Sequence, residues 1–379
     1  MDQRTPPTIS FDAPAAARRI AAQAAARAAA LDCDGSFPLE DVRALAGSGL
    51  LAALVPSSAG GAGLGEEPRF RKLADVLRRV GYGNLALGRL YEGHVNALQI
   101  IARYGTPDQQ RSLFGDATDG HLFGVWNTEP KPDGLTFSQS GEGLSLTGRK
   151  AFASGAGFVT RALVTARPSA GGAPMMLVVP LDAGTRADLS SWRALGMRAS
   201  ATGTVDFTGL EVEAGAVIGG PDDYHCQPFF SGGAWRFAAV QLGGIEAVFD
   251  VWRRHIRIGG RGGDPHQLAR LGEGAIAIES GRHWVERAAG IVADDSLPPD
   301  RIVAFVNLAR VAVERAGLDV LQLSQRSVGL EGFLAGHPLE RLSRDLAVYL
   351  RQPAPDRALH LAAAEILDGP EEAGELWRP

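Results

Sequence analysis

Cysteine is scarce: Cys33 and Cys226 are the two in 379 residues, far apart and outside any Cys-x-x-Cys spacing. A disulfide framework or a cysteine-held metal therefore lacks ligands, and a reducing, cytoplasmic compartment is the expectation. Positive charge is not in excess either, with 38 Lys+Arg against 43 Asp+Glu and a formal net charge of -5. The basic residues are scattered along the chain, so no basic face is expected for nucleic acid. Long apolar runs are also missing. The chain begins with Asp2 and Arg4 and passes into an Ala/Arg-rich stretch broken by charges, which reads as neither a signal peptide nor an apolar span of roughly 18 residues. Neither a membrane nor a nucleic acid is an expected partner.

What the chain has is core-forming material, 45% hydrophobic and 21% charged residues, over a length that supports two or three domains. The alanine-rich stretch 14–31 predicts an opening helix. Leu39, Val42, Leu45 and Leu50 continue a helical spacing, the glycines from Gly60 to Gly65 predict a surface turn, and Leu73, Val76 and Leu77 predict another helix. Asn84 reads as the N-cap of a helix reaching about Arg103, and Thr106-Pro107 as the cap and first residue of the next. From His121 the texture changes to short segments rich in Val, Leu, Thr and Phe, at 144–151, 162–166, 175–180 and 204–212, which predict a β domain. Helical periodicity returns at Trp235, in segments 235–257 and 265–288, then in a long apolar stripe opened by Pro298-Pro299, with a fourth segment after Pro338. The expected fold is α+β and multi-domain: an N-terminal helical domain over 1–119, a β-barrel-like middle domain over 120–220, and a C-terminal four-helix bundle over 221–379. The apolar content of the bundle helices predicts a homodimer or homotetramer.

Several motifs occur in one order. Gly49-Leu50-Leu51, Val55-Pro56 and Gly60-Gly61 come first, then Val125-Trp126-Asn127-Thr128-Glu129-Pro130. Thr147-Gly148-Arg149-Lys150 with Phe152 and Ser154 follows, then Leu195-Gly196-Met197-Arg198. Val328-Gly329-Leu330-Glu331-Gly332 and Pro338-Leu339-Glu340-Arg341 with Arg344-Asp345 close the series. In order and spacing, over some 330 residues, they resemble the acyl-CoA dehydrogenase-like flavoprotein family. That resemblance implies FAD in the β domain, with FMN or reduced flavin as the alternative. Val125, Asn127 and Thr128 would lie at the pyrimidine edge of the ring, with Phe152 and Ser154 on its other side. Such a ring needs hydrogen-bond donors along its polar edge and an aromatic wall. The family's pyrophosphate contacts from a neighbouring subunit map onto Arg257, Gln267 and Gly329, with Arg254 and Arg261 nearby. A solvated basic loop is the other account of those arginines. Lys131-Pro132-Asp133-Gly134 stands where the family carries a glycine-rich phosphate loop.

Dehydrogenation of an acyl thioester needs a carboxylate to take the α-proton. At the family's two positions for it this chain has Pro353 and Trp235. Asp356 is an alternative base or the N-cap of the last helix. His94, with Ser154, fits a related branch of flavin monooxygenases, and His360 is a second histidine of that kind. Three functions are therefore open. The first expectation is a dehydrogenase acting on the CH–CH group of an acyl thioester and passing electrons to an electron-transfer flavoprotein. The alternative is a monooxygenase fed reduced flavin by a partner reductase, and the third is a family member without catalysis. Without a base, simple saturated acyl-CoA esters are expected to react orders of magnitude more slowly than in a family member with the glutamate.

Overall fold

The computed structural model describes residues 11–294 and 296–378; residues 1–10, with Asp2 and Arg4, and residues 295 and 379 lie outside the described residues. Five helices come first: α1 (Ala13–Arg27), α2 (Leu39–Gly47), α3 (Phe70–Gly83), α4 (Leu85–Tyr104) and α5 (Pro107–Thr118). Their starts are set by local chemistry. The Asn84 carboxamide accepts from the Ala86 and Leu87 N–H groups, and Thr106 and Gln109 form a reciprocal capping box ahead of Pro107, satisfying donors that have no partner inside the helix.

Ten strands follow: β1 (Phe123–Trp126), β2 (Thr136–Ser140), β3 (Gly143–Thr147), β4 (Arg149–Ala153), β5 (Arg161–Pro168), β6 (Met175–Pro180), β7 (Ala187–Asp188), β8 (Gly203–Asp206), β9 (Leu210–Glu213) and β10 (Val217–Ile218). They form a seven-stranded sheet in the order β10-β6-β5-β2-β3-β9, with β1 parallel to β5, and a three-stranded sheet β4-β8-β7. Two segments expected as single strands are each two. Residues 144–151 break at Gly148, whose φ of 112° only glycine adopts readily and where a Cβ would meet the Gly134 carbonyl at 2.3 Å, so β3 and β4 enter different sheets. Residues 204–212 break likewise between β8 and β9.

The chain then returns to helices: α6 (Phe229–Gly232), α7 (Trp235–Ile258), α8 (Pro265–Ile291), α9 (Pro299–Val328), α10 (Pro338–Tyr349) and α11 (Pro355–Asp368). α7, α8 and α9 pack on one another, α10 lies on α7 and α11 on α9. The amino-terminal helices join this bundle through α3 and α4 on α7, where small residues bring backbones together. A Cβ on Gly81 would meet the Val240 carbonyl at 2.3 Å, and one on Gly243 the Arg78 carbonyl at 1.9 Å. The β region is tied to the bundle by the last motif. Buried Asp345 accepts from the Met197 N–H at 2.7 Å, and Arg344 holds the Leu195 carbonyl and Asp32. Among the described residues no helix is long and apolar enough to cross a membrane.

Candidate active site

β1 runs out into Asn127-Thr128-Glu129, and a buried lysine holds that stretch in place. Lys150 on β4 has no exposed surface, and its Nζ donates to Glu129 Oε1 at 2.6 Å, the Asn127 carbonyl at 3.1 Å and Thr165 Oγ1 at 3.0 Å. Thr165 in turn donates to Asn127 Oδ1 at 2.6 Å. Burial pulls the Lys150 pKa down, and Glu129 opposes that by favouring the charged form. A buried ammonium is tolerable when its three donors are all used. The Thr-Glu-Pro and Gly-Arg-Lys motifs are thus halves of one polar cluster, which presents Thr128 at the surface while its carbonyl accepts from the Ala151 N–H at 2.9 Å.

The end of β4 carries the other candidates. Phe152 has φ 52° and is 65% exposed, with Trp192 edge-on at 6.4 Å between ring centroids. Trp126 Nε1 donates to the Ser154 carbonyl at 3.1 Å, and Thr202 Oγ1 donates to Ser154 Oγ at 3.2 Å with Ser200 Oγ a further 2.7 Å behind it. Met197 and Ala201 also have positive φ. Each such residue costs about 1–3 kcal/mol, and that strain gathers where a site must hold a set geometry. The Val125, Asn127, Thr128, Phe152 and Ser154 expected around a flavin are therefore brought together.

Val125 also lines a cleft of about 880 Å³ that extends between α4, α7, α9 and the turn from α10 to α11. Its polar wall comes from α4, where Arg89, Glu92, Asn96, Gln99 and Arg103 recur at three-to-four spacing on an otherwise apolar helix. Arg89 Nη1 and Asn96 Nδ2 donate to the two oxygens of buried Glu92. Arg236, at the start of α7, donates through Nε to Asn96 Oδ1 and through Nη1 to Gln99 Oε1. Burial lowers the Arg236 pKa to about 10, against the pull of Glu92. Tyr349 is buried at the same cleft with no hydrogen-bond partner on its hydroxyl, and burial raises its pKa well above the usual phenol value. Motif order does not reveal this set. The polar stripe on 85–104 is the signal that does.

Pro353 lines the cleft, and Trp235 is fully buried next to Ala234 and Arg236, which line it, so neither position puts a carboxylate there. Glu66 lines the cleft too, but is held by Arg69 and Ser57. Asp356 is neither in the cleft lining nor the N-cap of the last helix. Pro355 takes the first helical position, Ala354 is the cap, and Asp356 is exposed one residue further in. His360 is exposed on the same helix. His94 is completely buried. Its Nδ1 accepts from the Phe123 N–H at 3.1 Å, which leaves Nε2–H to donate to the Leu51 carbonyl at 2.8 Å. Burial lowers its pKa to about 4, with the Leu51 bond working against it. Both ring nitrogens being used, His94 pins α4 to β1 and offers nothing to the cleft.

Arg261, Gln267 and Gly329 meet elsewhere, at one end of the bundle. Arg261 and Gln267 both donate to the Ser327 carbonyl, at 3.3 and 3.5 Å, Gln267 is buried, and Gly329 caps α9 with φ 78°. Arg257 is exposed beside them. No hydrogen bond among the described residues links this patch to Phe152 or Ser154.

Comparison with known proteins agrees with this architecture. The family described as acyl-CoA dehydrogenase, N-terminal domain, matches residues 13–121, and acyl-CoA dehydrogenase, C-terminal domain, matches residues 226–350. The chain belongs to the acyl-CoA dehydrogenase-like flavoprotein family. As a member it is an oxidoreductase enzyme. Relatives of this acyl-CoA dehydrogenase-like chain include the L-evernosamine nitrososynthase of a Micromonospora species, 29% identical over 86% of this chain and 82% of the relative. A probable FMNH2-dependent monooxygenase, SfnC of Pseudomonas putida, is 25% identical over 94% of each. Among solved structures, TdsC from Paenibacillus sp. A11-2 with FMN and indole superposes with a TM-score of 0.83 at 19% identity, over 94% of this chain and 97% of that one. These findings overturn the acyl-thioester dehydrogenase expected from the motifs. The motifs encode a fold that both chemistries share. A flavin stands, but the expected FAD does not find support, since the neighbour holds FMN.

Proposed function

We propose that this enzyme is a flavin-dependent monooxygenase that receives reduced flavin, FMNH2 rather than FAD, from a partner reductase. Its substrate is a small molecule with an oxidisable nitrogen or sulfur, held in the cleft beside Val125. The observation that carries this reading is the state of the carboxylates in that cleft. Among the described residues its two are each engaged by an arginine, and Pro353 and Trp235 occupy the positions of the family's base. Proton abstraction from carbon is therefore not provided for, whereas attack on a heteroatom needs none.

The residues present suit a flavin. Phe152 offers an exposed aromatic face in a backbone conformation that a surface phenylalanine does not need. Ser154 Oγ lies 3.2 Å from Thr202 Oγ1, and its hydroxyl suits the polar edge of a ring. Lys131-Pro132-Asp133-Gly134 in place of a glycine-rich loop supports a mononucleotide. Reduced flavin supplies the electrons that activate oxygen. Ser154 and the backbone after β1 orient the ring, and the cleft presents the substrate to it. The relatives, a nitrososynthase and a probable FMNH2-dependent monooxygenase, support the same chemistry. We also infer a homo-oligomer built on the helical bundle.

The test is anaerobic titration with reduced FMN followed by mixing with oxygen. The expected result is saturable binding and an absorbance course distinct from the oxidation of free FMNH2. Unchanged free-flavin kinetics, or rapid bleaching of a bound oxidised flavin by acyl-CoA esters, would refute the proposal.

A further inference from the structure

The charge in the cleft is opposite to that of the protein. The chain as a whole carries -5, yet the cleft is lined by five arginines, at 89, 103, 236, 310 and 357, and by two acids, Glu66 and Glu92. Glu66 is spent on Arg69, outside the lining. Glu92 gives one oxygen to Arg89 and the other to the Asn96 amide. Arg236 is then left with neutral acceptors, the carboxamide oxygens of Asn96 and Gln99. Arg310 donates to the Pro353 carbonyl at 2.6 Å and stacks over Phe237 at 5.3 Å, while nearby Glu314 is taken by Arg351 at 3.1 Å. Among the described residues neither Arg236 nor Arg310 has a carboxylate at ion-pairing distance.

A guanidinium held away from bulk water without a counter-ion is costly. Here the cost is visible, since burial lowers the pKa of both groups. Arginines on a concave, low-dielectric wall focus potential and draw anions, and a planar guanidinium with donors to spare matches an oxyanion. Tyr349 lines the same cleft, and its buried hydroxyl has no hydrogen-bond partner among the described residues.

We propose that the substrate carries an oxyanion, a carboxylate, sulfinate or phosphate, which half-buried Arg236 receives inside the cleft while Arg310 and exposed Arg357 draw it in. This rests on the monooxygenase reading, in which that cleft holds the substrate. It makes Arg236 a specificity residue for a group remote from the atom being oxidised.

The experiment is calorimetric titration of the purified full chain with three matched pairs: benzoate and benzamide, benzenesulfinate and methyl phenyl sulfoxide, phenyl phosphate and anisole. At least one anion is expected to bind about 10- to 100-fold more tightly than its neutral partner, and the pair showing the largest ratio identifies the oxyanion. Arg236→Gln removes the preference, Arg310→Gln lowers it about fivefold, and raising salt weakens it. If Arg236→Gln does not fold, Arg310→Gln and the salt series decide. Neutral probes binding as tightly as the anions, or a preference that survives the substitutions and salt, would overturn the proposal. Reduced FMN binding, measured in parallel, separates the two ideas: anion preference without flavin binding sinks the monooxygenase reading alone, and flavin binding without anion preference sinks this one alone.

Discussion

His94 shows how one side chain is decided by its surroundings. Bonded at both nitrogens and fully buried, it folds as the neutral imidazole, with a pKa near 4 against 6.5 for the unperturbed group. The folded value is the lower one, so stability is whole above pH 6.5 and is lost as the pH falls toward 4, when the unfolded chain takes up a proton that the folded one refuses. Between pH 7 and pH 5 the loss is about 2 kcal/mol. Urea unfolding at the two pH values should show it, and His94→Gln should flatten that part of the difference. Ser154 is the contrasting case, a hydroxyl only partly buried beside Phe152, with Thr202 Oγ1 at 3.2 Å. Ser154→Ala should cut substrate oxidation by about 100-fold while leaving reduced FMN binding, read by fluorescence quenching, nearly unchanged. Thr202→Val should move the same rate in the same direction by less. Equal activity in Ser154→Ala would remove the serine from the chemistry.

Among the elements, α3, α4 and α7 matter most, because their crossing joins the two helical regions and carries both walls of the cleft. Backbone contact there depends on hydrogen as the side chain. A methyl on Gly243 would lie 1.9 Å from the Arg78 carbonyl, an atom that no rotamer change moves aside. Arg78 with Glu246 and Tyr82 with Asp250 flank the same crossing. Gly243→Ala should therefore cost about 1–3 kcal/mol through overpacking, against almost nothing for Gly272→Ala, which has open space around it on α8. Chemical denaturation of the two variants gives the comparison, and equal midpoints would mean that the helices shift apart freely.

For the whole molecule, the exposed apolar side chains gather on the carboxy-terminal helices and the turns at their ends. Ile258, Ile276 and Leu330 are each about 70–80% exposed, more than an isolated chain keeps without reason. Light scattering at micromolar concentration should report a dimer or tetramer, and Ile276→Glu should shift it toward the monomer. A monomer throughout would also leave Arg257 and Arg261 as a solvated patch, with no flavin phosphate from a second subunit to meet.

Helix boundaries were legible in the sequence because they depend on neighbours in the chain. Asn84 and Thr106 cap the helices that they were expected to cap, and the apolar stripe after Pro299 is one helix, since capping and periodicity are local. Asp356 is not the cap of its helix for an equally local reason, the proline before it, which takes the first helical position. The ordered motifs determined the family and the fold, because motifs far apart in the chain are contacts: Glu129 with Lys150, and Met197 with Asp345. Tertiary structure alone decided the rest. Whether a histidine is a catalyst or a peg depends on which backbone groups reach it from 43 and 29 residues away, Leu51 and Phe123. The charge of the cleft is likewise the sum of arginines from α4, α7, α9 and α11, and no local pattern adds them together.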